Sequence, residues 1–263
     1  MKTLSLEGKR ALVCGASKGI GKAVAMLLAE RGAEVVAVAR NANTLKQLVN
    51  ELPTPNHQAH SWLAADFSSP SLLASELQTF LAGEAPFQIL IHNTGGPPPG
   101  LIHQASLEAF SLAFAQHLLA GQVLVQALLP GMQASQYGRI INIVSTSVRQ
   151  PIPGLGVSNT VRAAVAAWAK TLADELAPMG ITVNNVLPGF TRTERLAQII
   201  ATRAEKQGLS PEAVEAAMLA EVPAGRFAEP EETAEAVAFL ASQAASYITG
   251  THLPVDGGRL RPL

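Results

Sequence analysis

Short apolar runs alternate with longer amphipathic segments along the 263-residue chain. Runs such as FQILIH and RIINIV are almost continuously apolar, which is typical of strands covered on both faces in a parallel sheet. Their alternation with helical patterns predicts right-handed crossovers and helices on both faces of the sheet. We therefore expect a doubly wound α/β sheet in one domain, residues 1–263, with strands at Arg10–Cys14, Glu34–Ala39, His60–Ala65, Phe87–His92, Arg139–Ser145, Ile181–Leu187 and His252–Asp256.

Three helix ends follow from local signals. A helix over Ile20–Arg31 has apolar residues at helical spacing and is followed by Gly32, a residue type that commonly caps a helix C-terminus. Ser69 and Pro70 predict the start of another helix, with proline in its first turn. The run Glu229–Glu232 predicts a third start, because acidic side chains are favoured at the positive end of the helix dipole.

The turn between the first strand and the first helix reads CGASKGIG and carries three glycines. Glycines let the backbone approach a pyrophosphate closely, and the N-terminus of the following helix offers free N–H groups. A plain βα loop is the alternative, but the position between the first strand and a helix favours a Rossmann-type dinucleotide site. The expected cofactor-binding residues of this turn are Gly15, Ser17, Lys18, Gly19, Ile20 and Gly21.

The end of the second strand indicates which dinucleotide is bound. NAD-selective sites usually place an acid there to bind the ribose 2′-hydroxyl, whereas this chain has Ala39 and Arg40. A guanidinium group can bind a 2′-phosphate through paired hydrogen bonds, and Lys18 lies in the neighbouring turn. We expect NADP(H) to be preferred, with NAD(H) possible; the alternative is that both cations are ordinary solvated surface residues.

Composition restricts the remaining function classes. Charged residues make up 15% of the chain and the net charge is −1, so no basic surface for nucleic acid or anionic membranes is expected. The single cysteine, Cys14, excludes an intramolecular disulfide and a cysteine-clustered metal site. Residues 1–10 hold no apolar core of a signal peptide, and no uninterrupted apolar run approaches the roughly 18 residues of a spanning helix. We expect a soluble, cytoplasmic protein.

Residues at the ends of later strands resemble, in order, the motifs of the short-chain dehydrogenase/reductase family. They are Asp66 with Phe67 after the third strand, Asn93, Thr94 and Gly95 after the fourth, Pro188, Gly189 and Thr191 after the sixth, and the VDGG of residues 255–258. Apart from the C-terminal VDGG, the resemblance implies that these residues bind the cofactor. It also implies a parallel sheet of about seven strands, a small-molecule substrate and a homotetramer or homodimer. The overall pattern is similar to that of the 3-oxoacyl carrier-protein reductase branch.

The catalytic positions depart from the family pattern of Asn, Ser, Tyr and Lys. The resemblance places these four roles on His117, Ser145, Ser158 and Arg162. A phenol has a pKa near 10 and can be tuned towards neutral pH, whereas an aliphatic hydroxyl cannot easily be tuned so far and arginine does not release its proton. His117 is a candidate proton carrier, with packing inside a helix pair as the alternative. Arg162 is also expected to bind the ribose next to the nicotinamide, and Ser145 has the alternative of bonding only to local backbone.

The segment 190–227 is expected to cover the substrate as a lid, and it contains an amphipathic helical pattern over Pro211–Leu219. Three functions fit these observations. The first is an NADP(H)-dependent oxidoreductase that acts on a carbonyl or a secondary alcohol with an altered proton-transfer centre. The second is a non-catalytic dinucleotide-binding protein, either a sensor or a partner subunit. The third is another reaction on the same scaffold, such as that of a lyase or an isomerase.

Overall fold

A computed structural model describes residues 4–261, and its sheet follows the predicted order of elements. The strands form one parallel seven-stranded sheet in the order β3-β2-β1-β4-β5-β6-β7. The predicted seven-stranded doubly wound fold is thus confirmed. The strands are β1 Arg10–Cys14, β2 Glu34–Ala39, β3 Ser61–Ala64, β4 Ile89–His92, β5 Gly138–Ile143, β6 Ile181–Pro188 and β7 His252–Val255.

The helices lie between the strands and over the sheet's carboxyl edge. They are α1 Gly19–Glu30, α2 Ala42–Glu51, α3 Pro70–Leu81, α4 Leu107–Phe114, α5 Ala120–Ala134, α6 Gly156–Leu176, α7 Glu194–Gln207, α8 Pro211–Leu219 and α9 Pro230–Ala241. All three predicted helix ends are confirmed to within one residue. At the start of α9, Glu229 and Glu232 form a reciprocal capping box, which satisfies backbone N–H groups that the helix leaves free.

Two apolar layers cover the sheet. One layer packs α1, α2 and α9 on one face, with fully buried residues such as Leu28 and Val237. The other packs α3, α5 and α6 on the opposite face, with Leu77 and Leu124 among its buried residues. The near-continuous apolar strands are explained by this arrangement, because both of their faces are removed from water.

The segment after β6 has an apolar cluster of its own. Leu196 and Ile200 of α7 pack with Met218 of α8 and with Phe227. Phe190 meets Phe227 edge to face, with ring centroids 5.8 Å apart. The segment between these two phenylalanines is therefore a small packed unit lying at the carboxyl edge of the sheet.

The helical segment Leu107–Ala134 is continuous through α4, a π-helical turn at Ala115–Leu119 and α5. Its 28 residues are long and apolar enough to cross a membrane by length and composition alone, with a mean hydropathy of 1.5 in its most apolar window. Buried residues of α5, including Leu124, Leu128 and Met132, pack against the sheet layer. Such packing is typical of a core helix.

Candidate active site

A cleft of about 1380 Å³ opens at the carboxyl edge of the sheet and is lined by the ends of several strands. Since β1 and β4 are neighbours, the connections from these strands leave towards opposite sides of the sheet, and ligands bind at such a crevice in doubly wound folds. Gly15 after β1, Asn93 after β4, Ser145 after β5 and Gly189 after β6 all line this cleft. The sequence motifs are thus brought together at one edge.

The glycine turn is shaped so that its backbone faces the cleft. Gly15 has a φ of +62°, a conformation that side chains disfavour, and a Cβ there would lie 2.6 Å from the Asn93 carbonyl oxygen. A Cβ on Gly21 would lie 2.1 Å from the Gly15 carbonyl oxygen, so that α1 can start this close to the turn only with glycine. No side chain caps the N-terminus of α1 at Lys18. This cradle has the open helix terminus that a pyrophosphate requires.

The predicted selectivity residues lie next to this turn. Arg40 is exposed at the end of β2 and lines the cleft together with Phe67. Asp66 accepts a hydrogen bond from the Ser68 amide at 2.9 Å, and this bond is the main cause of the lowered pKa of its carboxyl. Lys18 forms an exposed ion pair with Glu194 of α7, with Nζ and Oε2 2.5 Å apart. The glycine turn is therefore bridged to the segment that follows β6.

The loops after β4 and β6 complete the cofactor side of the cleft. The Asn93 Nδ2 amide donates to the Gly15 carbonyl oxygen at 3.4 Å, which connects the β4 loop to the glycine turn. Thr94 and Gly95 line the cleft beside Asn93. The loop after β6 lies opposite, where Pro188, Gly189 and Thr191 line the same space.

Three of the four predicted catalytic residues line this cleft. Ser145 accepts a hydrogen bond from the Ser147 amide at 3.1 Å, and Ser158 lies near the start of α6. The Arg162 Nη1 group donates to the carbonyl oxygens of Ile143 at 3.2 Å and Val144 at 2.9 Å. Burial, together with the nearby charge of Arg195, lowers the pKa of Arg162 to about 10, so the guanidinium is charged at neutral pH.

Comparison with known proteins decides the family. The sequence profile of a family described as "Enoyl-(Acyl carrier protein) reductase" matches residues 15–259. The chain belongs to the short-chain dehydrogenase/reductase family. The 3-oxoacyl-[acyl-carrier-protein] reductase FabG of Vibrio cholerae is 38% identical over 255 residues, which cover 97% of this chain and 98% of that protein.

Two further relatives are named for their cofactor. The NADPH-dependent reductase BacG of Bacillus subtilis is 31% identical over 259 residues, covering 98% of this chain and 100% of that protein. The crystal structure of L-sorbose reductase from Gluconobacter frateurii, complexed with NADPH and L-sorbose, superposes with a TM-score of 0.92 at 30% identity and covers 100% of both chains. The fold that we derived from hydrophobic patterning is thus the fold of this dehydrogenase/reductase relative.

His117, Gly21 and Asp66 do not line the cleft. His117 lies in the π-helical turn, is 2% exposed and makes a hydrogen bond between its Nδ1 and the Thr94 hydroxyl. Burial, with smaller contributions from the charges of Arg162 and His92, lowers its pKa to about 2, so the ring is neutral at neutral pH. The geometry favours the packing interpretation of His117, because it reaches the cleft only through Thr94.

A row of polar side chains, which we call the polar ladder, crosses four strands of the sheet; three of them are buried and His252 is half-buried. It consists of His92, Asn142, Asn185 and His252, which are register partners on β4, β5, β6 and β7. The Asn142 Nδ2 amide donates to Asn185 Oδ1 at 2.9 Å, so its Oδ1 accepts from His92 Nδ1 at 3.1 Å. The Asn185 amide donates to His252 Nδ1 at 3.1 Å. All donors therefore point from β4 towards β7, and His92 carries its proton on Nδ1.

Sequence reasoning missed the polar ladder and one cleft residue, Arg195. Asparagine within an otherwise apolar strand was the available signal for the polar ladder, because a polar group in a buried strand requires a partner. Arg195 was visible only as one of several arginines in the segment after β6, and its Nη2 donates to the Pro97 carbonyl oxygen at 2.9 Å. No pattern in the sequence pairs α7 with the loop after β4.

Proposed function

We propose that the protein is a cytoplasmic NADP(H)-dependent oxidoreductase that acts on a carbonyl compound or the corresponding alcohol without a tyrosine acid. One observation carries the proposal: the glycine cradle and the Ser145, Ser158 and Arg162 side chains line a single cleft. The relatives named for NADPH support the cofactor assignment. The single cysteine, which is buried, fits a reducing compartment.

The residues present fit a dinucleotide phosphate. The uncapped N-terminus of α1 and the backbone of the glycine turn would bind the pyrophosphate, and Arg40 would bind the 2′-phosphate. Asn93, Pro188, Gly189 and Thr191 would hold the nicotinamide half, Asp66 would contact the adenine, and Gly21 lets α1 start close to the glycine turn. When bound, NADP(H) supplies or accepts a hydride at the nicotinamide ring.

The protein side chains would orient the substrate oxygen and stabilise charge on it. The Ser145 hydroxyl accepts from the Ser147 amide and so keeps its own proton available for a substrate oxygen. Arg162 is charged at neutral pH and can stabilise a developing oxyanion, but it does not donate its proton. The Ser158 hydroxyl can relay a proton from water to the substrate oxygen. Proton delivery therefore comes from water through hydroxyl groups, which is slower than transfer from a tuned phenol.

The second candidate is a binding protein without chemistry, and it is favoured by the positions of both tyrosines. The Tyr137 hydroxyl donates to the Ala241 carbonyl oxygen at 2.7 Å, and Tyr247 is fully exposed. Neither lines the cleft. A protein that lost the acid while keeping the cradle would bind NADP(H) and turn over nothing.

Two measurements separate these candidates. Fluorescence titration should show tighter binding of NADPH than of NADH, and Arg40→Ala should remove most of the difference, about tenfold or more for a charged hydrogen bond. Lys46→Ala is a matched control, because this exposed cation on α2 does not line the cleft. Oxidation of NADPH is then followed with an acetoacetyl thioester and with L-sorbose. Turnover supports the oxidoreductase, whereas NADPH binding with no turnover across a wide carbonyl panel supports the binding protein.

We also propose that two or four copies of the chain associate. Three leucines are exposed along α4 and the π-helical turn that follows it: Leu107 is 79% exposed, and Leu112 and Leu119 are each 50% exposed. This is an unusual amount of apolar surface for a helix that faces solvent. A second copy packed on this segment would cover them. Leu112→Lys should reduce the mass measured by light scattering, while Leu72→Lys, an equally exposed position on α3, should not change it.

A further inference from the structure

Two arginines from different helices meet beside the loop that follows β4. Arg162 comes from α6 and Arg195 from the first turn of α7, and both line the cleft. A Cβ placed on Gly96 would lie 3.5 Å from Arg162 Nη2 and 4.0 Å from Arg195 Nη2. The two guanidinium groups therefore converge on the same short stretch of backbone after β4.

No carboxylate neutralises this pair within residues 4–261. The ion pairs of the described chain use other cations, so neither Arg162 nor Arg195 has an acidic oxygen within 4.0 Å. Their known partners are main-chain carbonyl oxygens, of Ile143 and Val144 for Arg162 and of Pro97 for Arg195. Two cations this close, of which Arg162 is half-buried and Arg195 is exposed, repel each other unless an anion lies between them.

The two guanidinium groups lie beside the β4 loop at Gly96, although the start of α7 also reaches the glycine turn, where Glu194 pairs with Lys18. The pyrophosphate cradle is the glycine turn at the start of α1, and Arg40 stands at the end of β2. Arg162 and Arg195 lie instead beside Gly96 and Pro97, on the same side as Ser145 and Ser158. An anion at this place would belong to the molecule on which the serines act.

We propose that Arg162 and Arg195 together bind an anionic group of the substrate, so that the protein acts on carbonyl compounds carrying a carboxylate or phosphate near the reacting carbon. The inference rests on the proposed oxidoreductase function and deepens it. Guanidinium groups suit such ligands, because their planar N–H pairs match carboxylate and phosphate oxygens. Arg195 also ties α7 to the β4 loop, so anion binding and closure of the segment over the substrate would occur together.

The test compares small anions with a neutral isostere on the protein loaded with NADP⁺. Pyruvate and inorganic phosphate, each against pyruvamide as the uncharged control, are titrated while the melting temperature and the tryptophan fluorescence are recorded. We expect the anions to bind at least about tenfold more tightly than pyruvamide. Arg195→Ala should remove this preference, Arg195→Lys should restore part of it, and Lys206→Ala, an exposed cation on the same helix, should leave it intact.

The outcomes distinguish this inference from the proposed function. If NADPH binds but pyruvate, phosphate and pyruvamide give equal or no responses, the anion site is refuted and the cofactor assignment stands. If Arg195→Ala retains the anion preference, Arg195 is only a structural connection between α7 and the β4 loop, and the paired site is refuted. Weaker NADPH binding in Arg195→Ala, without loss of the anion preference, would assign this arginine to the cofactor and also overturn the inference. If NADPH does not bind to the unmodified protein, the proposed function itself fails.

Discussion

The polar ladder gives the sharpest stability prediction, through the change Asn142→Leu. Asn142 is fully buried, and it accepts from His92 and donates to Asn185. Leucine has a similar size but leaves a buried imidazole N–H and a buried amide oxygen without partners. Each of these unpaired buried groups lowers the free energy of unfolding by about 1–3 kcal/mol. The additional apolar surface that leucine buries offsets about 1–2 kcal/mol of this loss. We expect the free energy of unfolding to fall by about 1–4 kcal/mol.

The assay is urea denaturation followed by tryptophan fluorescence at one fixed protein concentration, because association would shift the midpoint. Thr182→Val is the matched control. Thr182 lies on β6, is 6% exposed, and has a hydroxyl without a hydrogen-bond partner, so its removal should change stability by less than about 0.5 kcal/mol or raise it slightly. The reasoning is refuted if Asn142→Leu is as stable as the parent, or if both variants lose the same free energy.

Three further predictions address titration, the cradle and the missing acid. Burial lowers the pKa of His92 to about 4 and that of His117 to about 2, so the unfolded chain binds more protons than the folded chain below pH 6.5. The free energy of unfolding should therefore decrease as the pH falls from 6.5 to 4. In denaturation series at several pH values, His117→Asn should reduce the dependence of this free energy on pH by about one proton. Gly21→Ala places a Cβ 2.1 Å from a carbonyl oxygen and should weaken NADPH binding by about tenfold or more in fluorescence titrations. The double variant Ser158→Tyr with Arg162→Lys should raise the kcat of carbonyl reduction by about a hundredfold. An unchanged kcat would show that proton donation does not limit the reaction.

Most of the fold was predictable because it depends on local patterns. Short apolar runs, several of them nearly continuous, predicted all seven strands, and the proline and acidic signals predicted the starts of α3 and α9. The end of β5 was placed too late at Ser145, since the strand stops at Ile143 and the Ser145 side chain instead accepts from the Ser147 amide in a short 3₁₀ turn. A hydroxyl that accepts from the backbone amide two residues further along the chain gives no periodic signal.

The candidate site was predictable in composition but only partly in arrangement. Gly15 and its neighbours are expected in the cradle, because their chemistry follows from a turn between one strand and one helix. The convergence of Arg162 with Arg195 depends on how α7 lies across the cleft, which the sequence does not encode locally. The burial of His117 likewise depends on the packing of the π-helical turn beneath Thr94. Contacts between distant elements therefore determine where His117 and the two arginines lie.

The hydrogen bonds of the polar ladder also specify the register of the central strands. In β4, β5 and β6, apolar residues cover both faces, so a slip by two residues would keep every side chain on its own face and would cost little hydrophobic burial. Such a slip would place His92 and Asn142 opposite aliphatic side chains and leave several buried donors unpaired. The polar ladder thus disfavours a two-residue shift in strand register that hydrophobic burial alone would permit. Because Thr94 and Ser145 lie two residues beyond β4 and β5, and Pro188 is the last residue of β6, the same register sets the relative positions of the loops that line the cleft.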